Sequence, residues 1–359
     1  MGISRCPFST NENPETYIPI QNNNNDSDKQ IFIKKIPKEI FKKMSDECKN
    51  LEAQKNINNK NIKTIKIDHL FDGDNGQNEI YYHGAFNEKD QKHGIGKLII
   101  INRNNENIFY CGIWDNDVLN EGKIFYMNEE EYFGKINNYL REGYGKYTSA
   151  SETYEGLWKN DQKDGNGEVE YVDGYKYKGQ FKNNKFNGKG KLTWRDGSYY
   201  DGEFADNVIN GTGYLEGSNK HIYSGSFKNG KFNGKGEFKW IDETGEEIYK
   251  GSYFNGKKDG EGEFYLKNGH IYKGNWENGK PEGKGVYETR NRKYYGNWRK
   301  GMFMQLIEAE DKEGAEEESF NFNFIVPDED INFIERLASS IINSVNIKST
   351  IKASFEVIT

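Results

Sequence analysis

The 359-residue sequence has room for two or three ordinary domains, yet only 34% of it is hydrophobic, while 14% is aromatic and 40 residues are glycine. A chain of that kind buries rings against glycine instead of building a broad aliphatic core. Its formal net charge of −7 gives no electrostatic footprint for nucleic acid, and no apolar run reaches the ~18 residues of a membrane span.

From the amino terminus, residues 1–36 are polar, with four asparagines at 22–25, and read as mostly disordered. Gly2, exposed once Met1 is removed, and Cys6 are candidate lipidation positions, although the myristoylation pattern asks for Ser or Thr where Cys6 stands. Cys6, Cys48 and Cys111 are too few and too scattered for a disulfide framework or a zinc site, so the expectation is a reducing, cytoplasmic compartment. Residues 37–70 predict a helix followed by a lead-in strand. Pro37 suits a first helical turn, and Ile40, Phe41, Met44, Cys48 and Leu51 recur at helical spacing to about residue 54. Ile65 and Ile67 then alternate with lysines, as in a strand.

Residues 81–302 are a tandem array. Its clearest copies begin Tyr154-x-Gly156-x-Trp158, Tyr177-x-Gly179-x-Phe181, Tyr200-x-Gly202-x-Phe204, Tyr223-x-Gly225-x-Phe227 and Tyr272-x-Gly274-x-Trp276. Looser copies centre on Gly84, Gly112, Gly134 and Gly251, and a truncated tenth begins at Tyr294. The central glycines fall 22 to 28 residues apart. After a polar loop, eight copies carry a Gly-x-Gly, from Gly94/Gly96 to Gly283/Gly285. The second copy has Gly122, with Ile124 read in the place of the other glycine. Side chains two apart share one face of a strand, so each copy predicts a β-hairpin with one apolar face. A lone hairpin cannot bury that face and has to stack on its neighbours. The rings share their face with the glycines, so each ring is expected to pack over a neighbour's glycine.

The period is too short for propeller blades, and the leucine ladder of leucine-rich repeats is absent. The Tyr-x-Gly-x-Trp/Phe unit, its polar loop and its Gly-x-Gly resemble MORN repeats. That resemblance implies an all-β fold, an elongated single-layer solenoid of antiparallel β-hairpins. Strand spacing of ~4.8 Å makes nine repeats about 90 Å long, and the helical spacings on either side of the array add short helical extensions at both ends. The resemblance also implies a non-catalytic scaffold or spacer of the radial-spoke-head or cortical-organiser kind, in the cytoskeleton or a cilium. The alternative that it implies is a membrane-associated tether, acylated at Gly2 or binding acidic phospholipids.

Past the array, residues 303–327 read as an acidic linker with one short strand at Phe320, Phe322 and Phe324. Residues 328–346 predict an amphipathic helix, with Ile331, Ile334, Leu337, Ala338, Ile341, Ile342 and Val345 on one side. Its expected roles are to cap the last repeat, to pack along the protein's own groove, or to dock in a partner.

The pattern asks for no cofactor, metal or catalytic residue. The five histidines are scattered, and neither a His-Glu-x-x-His nor a nucleophile elbow occurs. The expected partners are proteins, bound as a helix or strand along an apolar stripe. Leu192, Trp194, Phe238, Trp240, Phe264 and Leu266 are its candidate residues, provided that neighbouring repeats leave them uncovered. Membrane contact is the rival expectation, and nothing in the sequence fixes the oligomeric state.

Overall fold

The computed structural model describes residues 38–55, 57, 61–67, 78–101 and 107–312. Gly2, Cys6, the strand expected at 320–324 and the helix expected at 328–346 lie outside them. The chain divides into two compact units, residues 1–162 and 163–359.

The first unit holds α1 (Lys38–Lys55), β1 (Ile62–Ile67), β2 (Glu79–Phe86), β3 (Lys92–Ile101), β4 (Ile108–Asp115), β5 (Val118–Tyr126), β6 (Glu131–Asn137), β7 (Leu140–Thr148) and β8 (Glu152–Lys159). At the division begins β9 (Gln162–Tyr171). The second unit continues with β10 (Lys176–Lys182), β11 (Lys185–Thr193), β12 (Tyr199–Ala205), β13 (Val208–Glu216), β14 (Ile222–Lys228) and β15 (Lys231–Asp242). It ends with β16 (Gly245–Phe254), β17 (Lys257–Tyr265), β18 (Ile271–Glu277), β19 (Lys280–Glu288), β20 (Arg292–Arg299) and β21 (Met302–Asp311). Within each unit the strands pair antiparallel with their chain neighbours. The fold is all-β, a repeat solenoid of hairpins with one helix among the described residues. β21 pairs with β20 and runs to Asp311, past the expected end of the array at 302, so the start of the acidic stretch is strand and not linker.

The polar loop of the first copy runs over residues 87–91, and in the copies that follow it is a two-residue turn. Asn183 and Asn184 sit at φ 49° and 65°, the left-handed pair that a tight hairpin turn demands and that Asn tolerates. The turn also joins neighbouring hairpins. Asn207 donates its backbone N–H to the Phe186 carbonyl at 2.9 Å, and Gly230, Gly256, Gly279 and Gly301 repeat this bond one hairpin at a time.

The glycines serve two purposes. The first of each Gly-x-Gly, such as Gly188 at φ 79°, supplies a left-handed backbone where side-chain-bearing residues are strained. The second joins a row that crosses the sheet: Gly179 faces Gly190, Gly190 faces Gly202, and the pairing continues to Gly296. In β5 it is Gly122 that joins the row, between Gly112 and Gly134. Gly122 is therefore the second glycine of its copy, and the missing one is the first, not the residue at Ile124. Only three positions separate Leu119 from Gly122, where Phe186 and Gly190 are four apart, so β5 has no left-handed residue to place there.

α1 begins and ends one residue later than expected. It packs on β3, β4 and β5, burying Met44, Cys48 and Leu51 against Tyr81, Ile95, Ile99, Phe109, Cys111 and Phe125. Cys48 and Cys111 are joined in a disulfide. This corrects the expectation of scattered cysteines: a separation of 63 residues hides a pair that helix packing brings face to face.

Candidate functional site

Tyr177 shows how one side of the sheet is used. Its ring lies over Gly179 and Gly190, where a Cβ on either glycine would collide with it. A bulge leaves Gln180 outside the pairing with β11, and the Gln180 carbonyl accepts the Tyr177 hydroxyl at 2.8 Å. Tyr132, Tyr154, Tyr223 and Tyr249 make the same bond at 2.8–2.9 Å. The seat is thus the ring's own glycine and the one paired with it across the hairpin, not a glycine of the next repeat. The next repeat supplies an aromatic edge instead: Phe204 meets Tyr177 at 5.3 Å and 88°, and Phe227 meets Tyr200 at 5.2 Å and 81°.

This side is closed. Tyr154, Tyr177, Tyr200, Tyr223 and Tyr272 are buried, as are Trp158, Phe181, Phe204, Phe227 and Trp276, and burial pushes the Tyr177 phenol well above its ordinary pKa. Leu192, Trp194, Phe238, Trp240 and Phe264 are buried among them, and Leu266 is half-buried. Phe238 meets Trp240 at 4.3 Å, and the Lys258 ammonium stands 4.6 Å from the Trp240 ring. Neighbouring repeats cover the stripe expected to await a partner, so it is core.

A further position escaped the sequence reading. Two residues before the first glycine, one side chain lies over the tyrosine or the next repeat's ring. In the second unit Phe186 and Phe232 stack on Tyr177 and Tyr223 at 3.8 and 3.6 Å. In three other copies the place is taken by a cation facing tryptophan: Lys92 over Trp114 at 5.5 Å, Arg141 over Trp158 at 4.1 Å, and Lys258 over Trp276 at 5.7 Å. The pairing of a cation with tryptophan on the next strand was the available signal.

The opposite side is where the two units part. In the first, α1 covers it over β3 to β5, and Glu131 at the rim binds Lys43 of α1 at 3.0 Å and Lys123 at 2.9 Å. Burial works to raise the Glu131 pKa, but these two lysines outweigh it and hold the carboxyl below its usual range. In the second unit no helix lies on this side among the described residues. There a groove of about 760 Å³ crosses β15 to β21. Its floor is the glycine row, Gly251, Gly262, Gly274, Gly285 and Gly296. Its walls carry Lys235, Lys250, Lys273 and Lys284 interleaved with Glu261, Glu263 and Glu308. Signs alternate across strands, as in the pairs Lys178–Glu168 at 3.1 Å, Lys250–Glu237 at 3.1 Å and Lys273–Glu288 at 3.5 Å. With glycine beneath and long side chains on both flanks, the groove admits a backbone or a helix at close range.

Among the described residues no cluster of His, Cys, Asp or Glu is arranged to hold a metal ion, and no helix is long and apolar enough to cross a membrane. The family model described as MORN repeat matches residues 132–153, 154–174, 177–199, 200–221, 223–244, 249–271 and 272–292. The hairpins β2–β3 and β4–β5, which share the glycine pairing, lie outside the matched segments. No curated protein matches the chain.

Proposed function

Because this chain is a MORN-repeat protein, and such repeats are generally modules for protein or membrane interaction, we propose that it is a non-catalytic scaffold. It binds partner proteins on the side of the sheet opposite the tyrosines and works in a cytoskeletal or ciliary assembly. The observation that carries this reading is α1. In the first unit an amphipathic helix already lies on that side, so the repeat sheet accepts a helix there, while on the equivalent side of the second unit the described residues form an open groove. The interleaved charges of the groove favour a polar, amphipathic protein segment over an anionic lipid surface, which asks for a predominantly basic face.

The test is localisation of the tagged full-length protein with quantitative affinity isolation from its native cell. The expected result is a cytoskeletal or ciliary pattern and proteins retained in stoichiometric yield. Recovery on membranes alone, abolished by Gly2→Ala, would replace the scaffold with the lipid-anchored tether.

A further inference from the structure

The groove of the second unit has an apolar end. Val286 and Tyr295 are half-buried in its wall, and Ile307 on β21 is exposed at its rim. From β15 to β21 it spans six strand intervals, about 29 Å at ~4.8 Å each. Close by in sequence is an occupant of matching length and pattern. Residues 328–345 number 18, about 27 Å as a helix, and α1, which fills the corresponding side of the first unit, is also 18 residues.

Ile331, Ile334, Leu337, Ile341 and Val345 would form the apolar stripe of that helix. Asp328, Glu329 and Asp330 place three carboxylates at its start, where they favour a helix amino terminus and can pair with lysines of the groove walls. These are Lys284, beside Val286, and Lys273, whose pair with Glu288 at 3.5 Å leaves it partly open, while the wall carboxylates Glu261, Glu263 and Glu308 oppose them elsewhere. The last described strand, β21, ends at Asp311, three residues past Glu308 on the groove wall. The 15 residues from 313 to 327 reach at most ~50 Å when extended, ample to return the segment onto the groove.

We infer that residues 328–345 dock as a helix in the groove of their own chain and occupy the partner site until a partner displaces them. This rests on the proposed function only in taking the same side of the sheet as the docking side. An end cap would cover β21 alone; the segment placed here covers the lysines of β16, β18 and β19.

The purified full-length chain, without any partner, tests it by lysine acetylation rate and zero-length carbodiimide cross-linking. Lys273 and Lys284 should react roughly tenfold more slowly than in the double variant Ile334→Asp/Leu337→Asp, while Lys189, on the same side of β11, reacts alike in both. Cross-links from Asp328, Glu329 or Asp330 to Lys273 or Lys284 should appear in the monomer. Equal acetylation rates in the two proteins would overturn the inference, and so would cross-links confined to dimers. The readout needs no partner, so failure of the scaffold reading leaves it intact; conversely, partner binding with unprotected lysines would overturn only the self-docking.

Discussion

Strands β3–β5 and strands β15–β20 are built on the same pairing and the same glycine row, yet they differ in what they turn away from the rings. In β3–β5 the outward residues are Ile95, Ile99, Phe109, Cys111 and Phe125, all buried under α1. In β15–β20 the corresponding side carries Lys235, Glu237, Lys250, Glu261, Glu263 and Lys273, at least partly open to solvent. The ring side is constant and holds the hairpins together. The outward side varies, and its composition decides whether the sheet takes a helix permanently or offers a groove.

If the ring side is common machinery, damage to it should be alike in both units. Gly190→Val and Gly96→Val each drive a side chain into a tyrosine ring, of Tyr177 and Tyr82 respectively, and each should cost about 3 kcal/mol or more, at the upper end for overpacking. Hydrogen exchange should show the surrounding hairpins opening in both variants; a variant that kept wild-type protection would break the equivalence.

The outward side should separate the units. Leu51→Ala removes a buried contact of α1 and should cost about 2–4 kcal/mol, read as faster exchange over 38–55 and 95–125 with residues 177–296 unchanged. Reducing the Cys48–Cys111 bond should loosen the same segment in the same direction, since the bond ties α1 to β4. Acceleration in the second unit would contradict this separation.

Tyr177→Phe is a finer probe of the ring side. It keeps the ring and loses only the bond to the Gln180 carbonyl, for a cost near 1 kcal/mol by thermal unfolding of the second unit.

The smallest effect is one of pH, confined to the first unit. Burial and the neighbouring Lys97 hold the His83 pKa below its ordinary value, and Thr64 bonds its Nδ1 at 2.7 Å. A lowered folded pKa means that the unfolded chain takes up the proton first. The stabilisation is therefore complete above about pH 6.5 and is lost as the pH falls through the folded value. Exchange near β1 and β2 should rise between pH 7 and pH 5 in the wild type and stay flatter in His83→Gln.

The hairpins, their ring side and α1 were legible because period-2 and helical spacings are local. The purpose of the rings was legible too, but not their fate. Leu192, Trp194, Phe238, Trp240 and Phe264 alternate as an exposed stripe would, and only the stacking of successive repeats buries them. The Cys48–Cys111 contact and the seat of α1 were hidden in long-range packing. One trace of the seat was on the page: Leu98-Ile99-Ile100-Ile101 and Ile108-Phe109-Tyr110-Cys111 are unbroken apolar runs, the mark of strands buried on both faces, whereas Lys176-Tyr177-Lys178 alternates. The groove was not legible, because glycines that seat rings on one side leave its floor bare on the other.

The central claim is that partners bind opposite the tyrosines, and charge reversal in the groove tests it most directly. The full-length variant Lys250→Glu/Lys273→Glu/Lys284→Glu, compared with wild type in quantitative affinity isolation from the native cell, should remain folded, losing about 0.2–1 kcal/mol for each of the exposed pairs Lys250–Glu237 and Lys273–Glu288 that it breaks. It should also lose the partners that the wild type retains. The same partners recovered at the same yield would contradict the account.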